Sequence, residues 1–197
     1  MATKKRKKIV DKWKMKKWYE IVAPSIFDNK LIGETMAEDE SKVIDRILKI
    51  NLRELVKGGM QAAMFTKVHL RVHEIKGKTA YTRYIGHQMD YGYMRTLARR
   101  GRSVIDVVMD GKTKDEQILR IKVVAVTGSK VSENTKKNIR AAIKEEIKKV
   151  ILEYTLEDAI KDILQGRVSG KIYNKLKEIT VIRKVEVSKS RVKEVFK

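Results

Sequence analysis

Three histidines, His69, His73 and His87, are the side chains best suited to hold a metal ion, because imidazole nitrogen is a common ligand for zinc and related ions. His69 and His73 share one face of a predicted strand, but at roughly 3.3 Å per residue they stand about 13 Å apart, too far to bind one ion. The carboxylate pairs Asp106 with Asp110 and Glu145 with Glu146 could do acid–base work, yet each sits among lysines and arginines, where a solvated or ion-paired role is simpler. Phosphate-cradling Walker and GxGxxG loops are absent, and Gly58-Gly59 and Gly101 lack the flanking residues that would make them more than turns. The stretch Gly77-Lys78-Thr79-Ala80-Tyr81 lacks the glycine–aromatic spacing of an RNA-recognition strand. No catalytic residue, metal site or other cofactor is assigned, and an enzyme is not expected.

The chemistry that remains belongs to cations. Arg99, Arg100 and Arg102 form the densest internal basic cluster, around Gly101 at a predicted helix end. The helix dipole favours one cation there, but not three within four residues, and guanidinium groups clamp phosphates and stack on bases. The first 17 residues hold nine basic side chains, Lys4, Lys5, Arg6, Lys7, Lys8, Lys12, Lys14, Lys16 and Lys17, against the single acid Asp11, a net of +8. Such a block cannot bury enough apolar surface to offset its ordering, so residues 1–17 are expected to be an arm that orders on a nucleic acid, with a merely solvated tail as the alternative. Trp13 within it is suited to stacking on an exposed base. Arg140, Lys144 and Lys148 recur at helical spacing and form a ridge suited to a phosphate backbone, or simply a solvated ridge. Arg183 and Lys184, in the closing strand, complete the set of expected RNA-binding residues.

These clusters sit on a chain whose formal charge is +21 over 197 residues, from 46 Lys and Arg against 25 Asp and Glu. Thermophilic enrichment of charge raises both signs and does not account for an excess of one. Unpaired like charges repel in a compact state, and nucleic-acid phosphates neutralise them while releasing counterions. The absence of cysteine argues against a disulfide framework and thiolate zinc sites. No apolar run approaches the roughly 18 residues that cross a bilayer, so no membrane partner is expected, and the basic start lacks the apolar stretch of a signal peptide. A soluble intracellular protein is the expectation.

The elements that carry these residues form an α+β pattern. Strands are predicted at Ile21-Val22, Leu31 to Met36 and, with helical spacing as the alternative, Val43 to Leu52. Trp18 and Tyr19 read as core. Val68, Leu70 and Val72 alternate with Lys67, His69, Arg71 and His73, so Phe65 to Met89 reads as a hairpin about Gly77 with a wet, basic outer face. A second hairpin joins Val104–Met109 to Ile118–Thr127, with its turn at Asp110-Gly111-Lys112. Between them Tyr91 to Arg100 has helical spacing. Three C-terminal helices follow: one on the stripe Ile139, Ile143, Ile147, Val150, Ile151 and Tyr154, one from the capping box at Thr155 to Leu164 and ended by Gly166, and a short one holding Ile172, Tyr173 and Leu176. Val181, Arg183, Val185 and Val187 make a final strand, followed by a short basic tail. The predicted organisation is the arm, 1–17, and a single domain over 18–197.

The series Trp18-Tyr19, Ala23-Pro24, Phe27, Ile32-Gly33 and Thr35, then Val104-Ile105-Asp106-Val107, Leu119-Arg120, Ser169-Gly170-Lys171-Ile172 and Val181-Ile182-Arg183-Lys184-Val185, resembles a family of archaeal and eukaryotic small-ribosomal-subunit proteins, the S-three-A or eukaryotic-type S-one family. The likeness spans about residues 12 to 190, and the short start looks more like an archaeal member. The resemblance implies an antiparallel β-barrel-like body with accompanying helices, no enzymatic activity, and a cytoplasmic place on the platform of the small ribosomal subunit near the messenger exit. It also implies binding to small-subunit ribosomal RNA, neighbouring platform proteins as partners, messenger RNA as a further candidate partner, and roles in subunit assembly and translation. A general DNA- or RNA-binding architectural protein is the alternative that composition alone leaves open.

Overall fold

The structure is a computed structural model and describes residues 13–56 and 61–193. In chain order the elements are β1 (Lys17–Val22), β2 (Leu31–Ala37), β3 (Ile47–Asn51), the short helices α1 (Leu52–Leu55) and α2 (Gln61–Met64), and β4 (Thr66–Lys76). Then come β5 (Thr79–Met89), α3 (Tyr91–Leu97), β6 (Val104–Lys112), β7 (Ile118–Thr127), α4 (Glu133–Glu153), α5 (Leu156–Leu164), α6 (Arg167–Lys177) and β8 (Ile182–Lys193). The strands hydrogen-bond in the order β2-β1-β5-β8-β7-β6, with β4 pairing β3 and β5 off that path. The sheet is open and mixed rather than a wholly antiparallel barrel-like body, because β1 runs parallel to β5, Ile21 opposite Ala80. The chain divides into two compact units.

The first unit holds the described residues up to Ile47 together with Arg71–Arg83. Here β1 and β2 pair in register from Lys17↔Ala37, which buries Tyr19 and Ile21 and turns Trp18, 56% exposed, outward. Strand alternation thus separates the two aromatics that the sequence alone places together in the core. The expected strand from Val43 to Leu52 is broken. Val43 is fully buried after a turn of 3-10 helix at Glu40–Lys42, and Asp45 takes a left-handed φ of 63° so that its N–H reaches the Val72 carbonyl at 3.0 Å. Arg46 then clasps the turn through the Thr35 hydroxyl (2.5 Å) and the Met36 carbonyl (3.2 Å). Only Ile47–Asn51 remains extended, and Leu52 begins α1.

The second unit comprises Leu48–Leu70 and the chain from Tyr84. Strands β6 and β7 pair without interruption from Val104↔Val126 to Lys112↔Ile118. Ile105 and Val107 therefore share one face with Ala125 and Val123, and this face carries α4. Gly111 marks the closest approach, since a Cβ there would come within 2.7 Å of Ile151 Cγ2 on α4. That packing explains why Asp110-Gly111-Lys112 is strand and not the expected turn. The chain reverses instead at 113–117, where Glu116 adopts φ 58° and Thr113 N–H bonds the Gln117 carbonyl at 3.0 Å.

The apolar stripe of α4 is buried at Ile139, Ile143, Ile147, Val150 and Ile151, while Tyr154, the last residue of the expected stripe, is the half-exposed C-cap. Each fully buried Ile contributes about 1.5–3 kcal/mol relative to exposure. Ser132 caps α4 by accepting from Thr135 N–H, and Thr155 caps α5 by accepting from Asp158 N–H. Gly166, at φ 74°, ends α5 and opens α6. The expected basic tail proves to be strand as far as Lys193, and residues 194–197 lie outside the described residues.

Where β5 crosses β8 the contact is close enough that a Cβ on Gly86 would overlap the Ser190 carbonyl oxygen. The neighbouring pair His87↔Ser190 carries a buried polar chain. The Val187 carbonyl, 3.0 Å from His87 Nε2, can only accept, so Nε2 holds the proton and Nδ1 is the acceptor. Ser190 Oγ donates to Nδ1 at 2.6 Å, and Tyr84 O–H donates to Ser190 Oγ at 2.7 Å. Burial pushes the Tyr84 phenol up and drives the His87 imidazole down to about 4.

Because the folded pKa of His87 lies below its unfolded value of 6.5, the neutral network stabilises the fold fully above pH 6.5. That contribution is lost progressively as pH falls from 6.5 toward 4, to a total of about 3 kcal/mol. Urea unfolding between pH 7 and 4 should show this decline. His87→Gln should be less stable at pH 7 and lose the part of the slope that one histidine supplies; an unchanged slope in the variant would contradict the assignment.

Candidate nucleic-acid interface

In the first unit, Lys17 opens β1, so the described part of the expected arm runs into the sheet. Trp13 is 62% exposed, its carbonyl accepts from Lys16 N–H at 3.3 Å, and Lys16 Nζ sits 3.6 Å from the centre of its ring. A cation already occupies the indole, while Lys14 beside it is exposed. Lys4, Lys5, Arg6, Lys7, Lys8 and Lys12 lie outside the described residues, as does Gly58-Gly59.

Among the described residues, most of the excess positive charge belongs to the second unit. Its sheet face turned from α4 holds two rows of side chains set by register. Asp110 stands opposite Arg120 and Arg120 opposite Arg191, while Val108 stands opposite Lys122 and Lys122 opposite Lys189. Like charges directly opposite across a strand pair destabilise it. Two carboxylates relieve part of this. Arg120 holds Asp110 through Nε at 2.6 Å and Nη2 at 2.8 Å, Lys193 adds 2.7 Å, and Lys122 reaches Asp106 at 2.7 Å. Arg120, and then Lys193, hold the Asp110 carboxyl well below the usual carboxylate range. Lys189 and Arg191 make no ion pair among the described residues.

The same excess bears on His69. Burial lowers its pKa first, and Lys49, Lys189 and Arg191 lower it further. On this strand Arg71, expected on the wet face, is buried and lies 4.0 Å from Asp45. Sequence reading missed Lys189, Arg191 and Lys193, which it assigned to a tail.

Beside this face lies the Arg cluster. Arg99 and Arg100 are exposed two and three residues beyond Leu97, the last of α3, and Arg102 N–H closes a turn onto the Arg99 carbonyl at 3.3 Å, with Gly101 at φ 83°. The cluster thus lies past the helix end, where the dipole fades within one turn. Arg140, Lys144 and Lys148 are exposed along α4 and make no ion pair among the described residues, whereas Lys149 is engaged by Glu145 and Glu146. This ridge is on the helix side of the sheet, and the Lys122–Lys189 and Arg120–Arg191 rows are on the other. Arg183 is exposed beside a shallow groove between α6 and β8. Lys184 is tied inward, 3.1 Å from Glu186 and 5.4 Å from the Tyr93 ring centre, and its hydrogen bond with Tyr93 raises its pKa. Among the described residues no group of three or more His, Cys, Asp or Glu could hold a metal ion, and no helix is long and apolar enough to cross a membrane.

The sequence matches a known family over nearly its whole length. The model of the ribosomal S3Ae family covers residues 4–195. The chain belongs to the ribosomal S3Ae family. Proteins named small ribosomal subunit protein eS1 are similar to it, among them that of Staphylothermus marinus, 34% identical over 98% of this chain and 90% of the relative. The protein of Sulfurisphaera tokodaii is 35% identical over 93% of this chain and 94% of its own length. That of Desulfurococcus amylolyticus is 39% identical over 71% of this chain, an alignment that spans 64% of the relative.

Proposed function

We propose that this protein is a structural constituent of the small ribosomal subunit in the cytoplasm, and that it works by binding ribosomal RNA rather than by catalysis. The observation that carries the reading is the family match over residues 4–195, joined to a charge of +21. The platform near the messenger exit, with neighbouring platform proteins, is the place its resemblance implies.

The geometry supports a bridging mode. Lys122, Lys189 and Arg191, with Arg99, Arg100 and Arg102, form one cationic surface, and Arg140, Lys144 and Lys148 form another on the helix side of the same unit. One RNA segment cannot be pressed flat against both. Two segments held by one rigid sheet would be fixed relative to each other, which is what subunit assembly requires. Arg183 extends the contact along β8, residues 1–17 serve as a basic arm, and residues 18–197 form the body. Cations left without carboxylate partners gain most from phosphates, since each contact releases condensed counterions.

Replacing Arg99, Arg100 and Arg102 together by Gln should weaken binding of a structured small-subunit RNA fragment by about ten- to a hundredfold at fixed salt, with the thermal unfolding midpoint unchanged because Arg99 and Arg100 are exposed and Arg102 is only half-buried. A fall in the midpoint without loss of affinity would assign the cluster to folding instead. Removing residues 1–12, which leaves β1 intact, should flatten the slope of log affinity against log salt by roughly one for each phosphate that the arm no longer neutralises. An unchanged slope would remove the arm from the interface.

A further inference from the structure

A groove of about 360 Å³ lies between α3 and the face of β6, β7 and β8 turned from α4. Met94 and Leu97 of α3 line it together with Val124 and Val126 of β7. Such a volume falls within the range of about 300–1,000 Å³ typical of small-molecule sites. Gln88 and Ser188 are its neutral polar groups besides Tyr91, and its charged groups are mostly cationic: Arg95 from α3, and Lys122 with Lys189, which stand directly opposite each other on β7 and β8. The carboxylate in the lining, Asp106, is neutralised by Lys122 at 2.7 Å, so Lys189 and Arg95 are the surplus charge.

Tyr91 stands at the groove 71% exposed, with the Arg95 guanidinium 5.6 Å from its ring centre. An aromatic ring this open keeps most of its hydration and holds a face for a planar partner. Ala98 also lines the groove, and Arg99 follows it in the chain. A ligand seated here would therefore lead straight into the Arg cluster.

From this juxtaposition we infer that the groove receives a single unpaired RNA base, stacked on Tyr91, with the flanking phosphates on Lys189 and on Arg99 and Arg100. The inference rests on the RNA-binding reading and adds to it the kind of RNA element recognised. A base in a helix offers only its edge, whereas an extruded base offers an apolar face for the floor and a phosphate on each side for the cations. An acidic peptide would satisfy the cations but leave the apolar floor and the Tyr91 face unmatched.

The test compares two RNA hairpins of equal length and charge, one with 2-aminopurine in a single-nucleotide bulge and one with an abasic nucleotide at that position. The full-length chain should bind the base-bearing RNA about five- to fiftyfold more tightly, with a change in 2-aminopurine fluorescence on binding. Tyr91→Ala should abolish the difference while leaving abasic affinity and thermal stability unchanged, and Tyr91→Phe should keep it. Equal affinity of the unsubstituted chain for the two RNAs, or a difference that survives Tyr91→Ala, would overturn the inference while leaving RNA binding intact. Binding of neither RNA would overturn the RNA-binding reading and this inference with it.

Discussion

Repulsion between directly opposed cations on β7 and β8, Lys122 with Lys189 and Arg120 with Arg191, is the constraint around which the second unit is arranged. A sheet that kept such rows on a buried face could not fold, since desolvating an unpaired ammonium or guanidinium costs far more than a strand pair gains. Beside these rows the far end of β7, Val124 and Val126, is buried on the same face, and the opposite face carries most of the burial. Ile105, Val107, Leu119 and Ile121 are inside, and Gly111 admits Ile151 of α4 close against the strand. Asp106 and Asp110 offset part of the repulsion but leave Lys189 and Arg191 unmatched among the described residues. A phosphate chain would complete the charge balance that the fold leaves open.

Sequence reading recovered most elements where one face is apolar and the other wet, because alternation and helical spacing report that directly. Strand β6 and the stripe of α4 are of this kind, whereas β5 at Tyr84–His87 and β7 at Val123–Thr127 are buried on both faces. It went astray where a tertiary contact overrides the local signal. Asp110-Gly111-Lys112 carries turn residues, yet the glycine is there to admit Ile151. Six of the ten residues from Val43 to Leu52 are apolar, yet the left-handed Asp45 and the Arg46 clasp divide the run. Arg71 alternates with the core residues and still ends up buried.

The cations of β8 were hidden for a more specific reason. Val123 pairs with Val187 and Lys122 with Lys189, so Ser188 is an extra residue in the ladder. Before it the apolar residues are odd-numbered, Val185 and Val187; after it the inward residues are Ser190 and Val192. The pattern changes phase and reads as the end of a strand. Allowing a one-residue slip would have exposed the alternation of Lys189, Arg191 and Lys193. Of the candidate site, then, the Arg cluster and the α4 ridge were legible as local runs, while the opposed rows needed strand register, which no single segment contains.

The central claim is that this chain is held in the small subunit by RNA contacts that exceed simple charge attraction. Sedimentation of native extract before and after a high-salt wash tests it most directly, with the chain followed across the gradient. Retention with the small subunit through the wash is the predicted result, because base stacking survives when exposed phosphate pairs are screened. Release of the chain to the top of the gradient would contradict the account and describe a loosely attached, charge-driven binder instead.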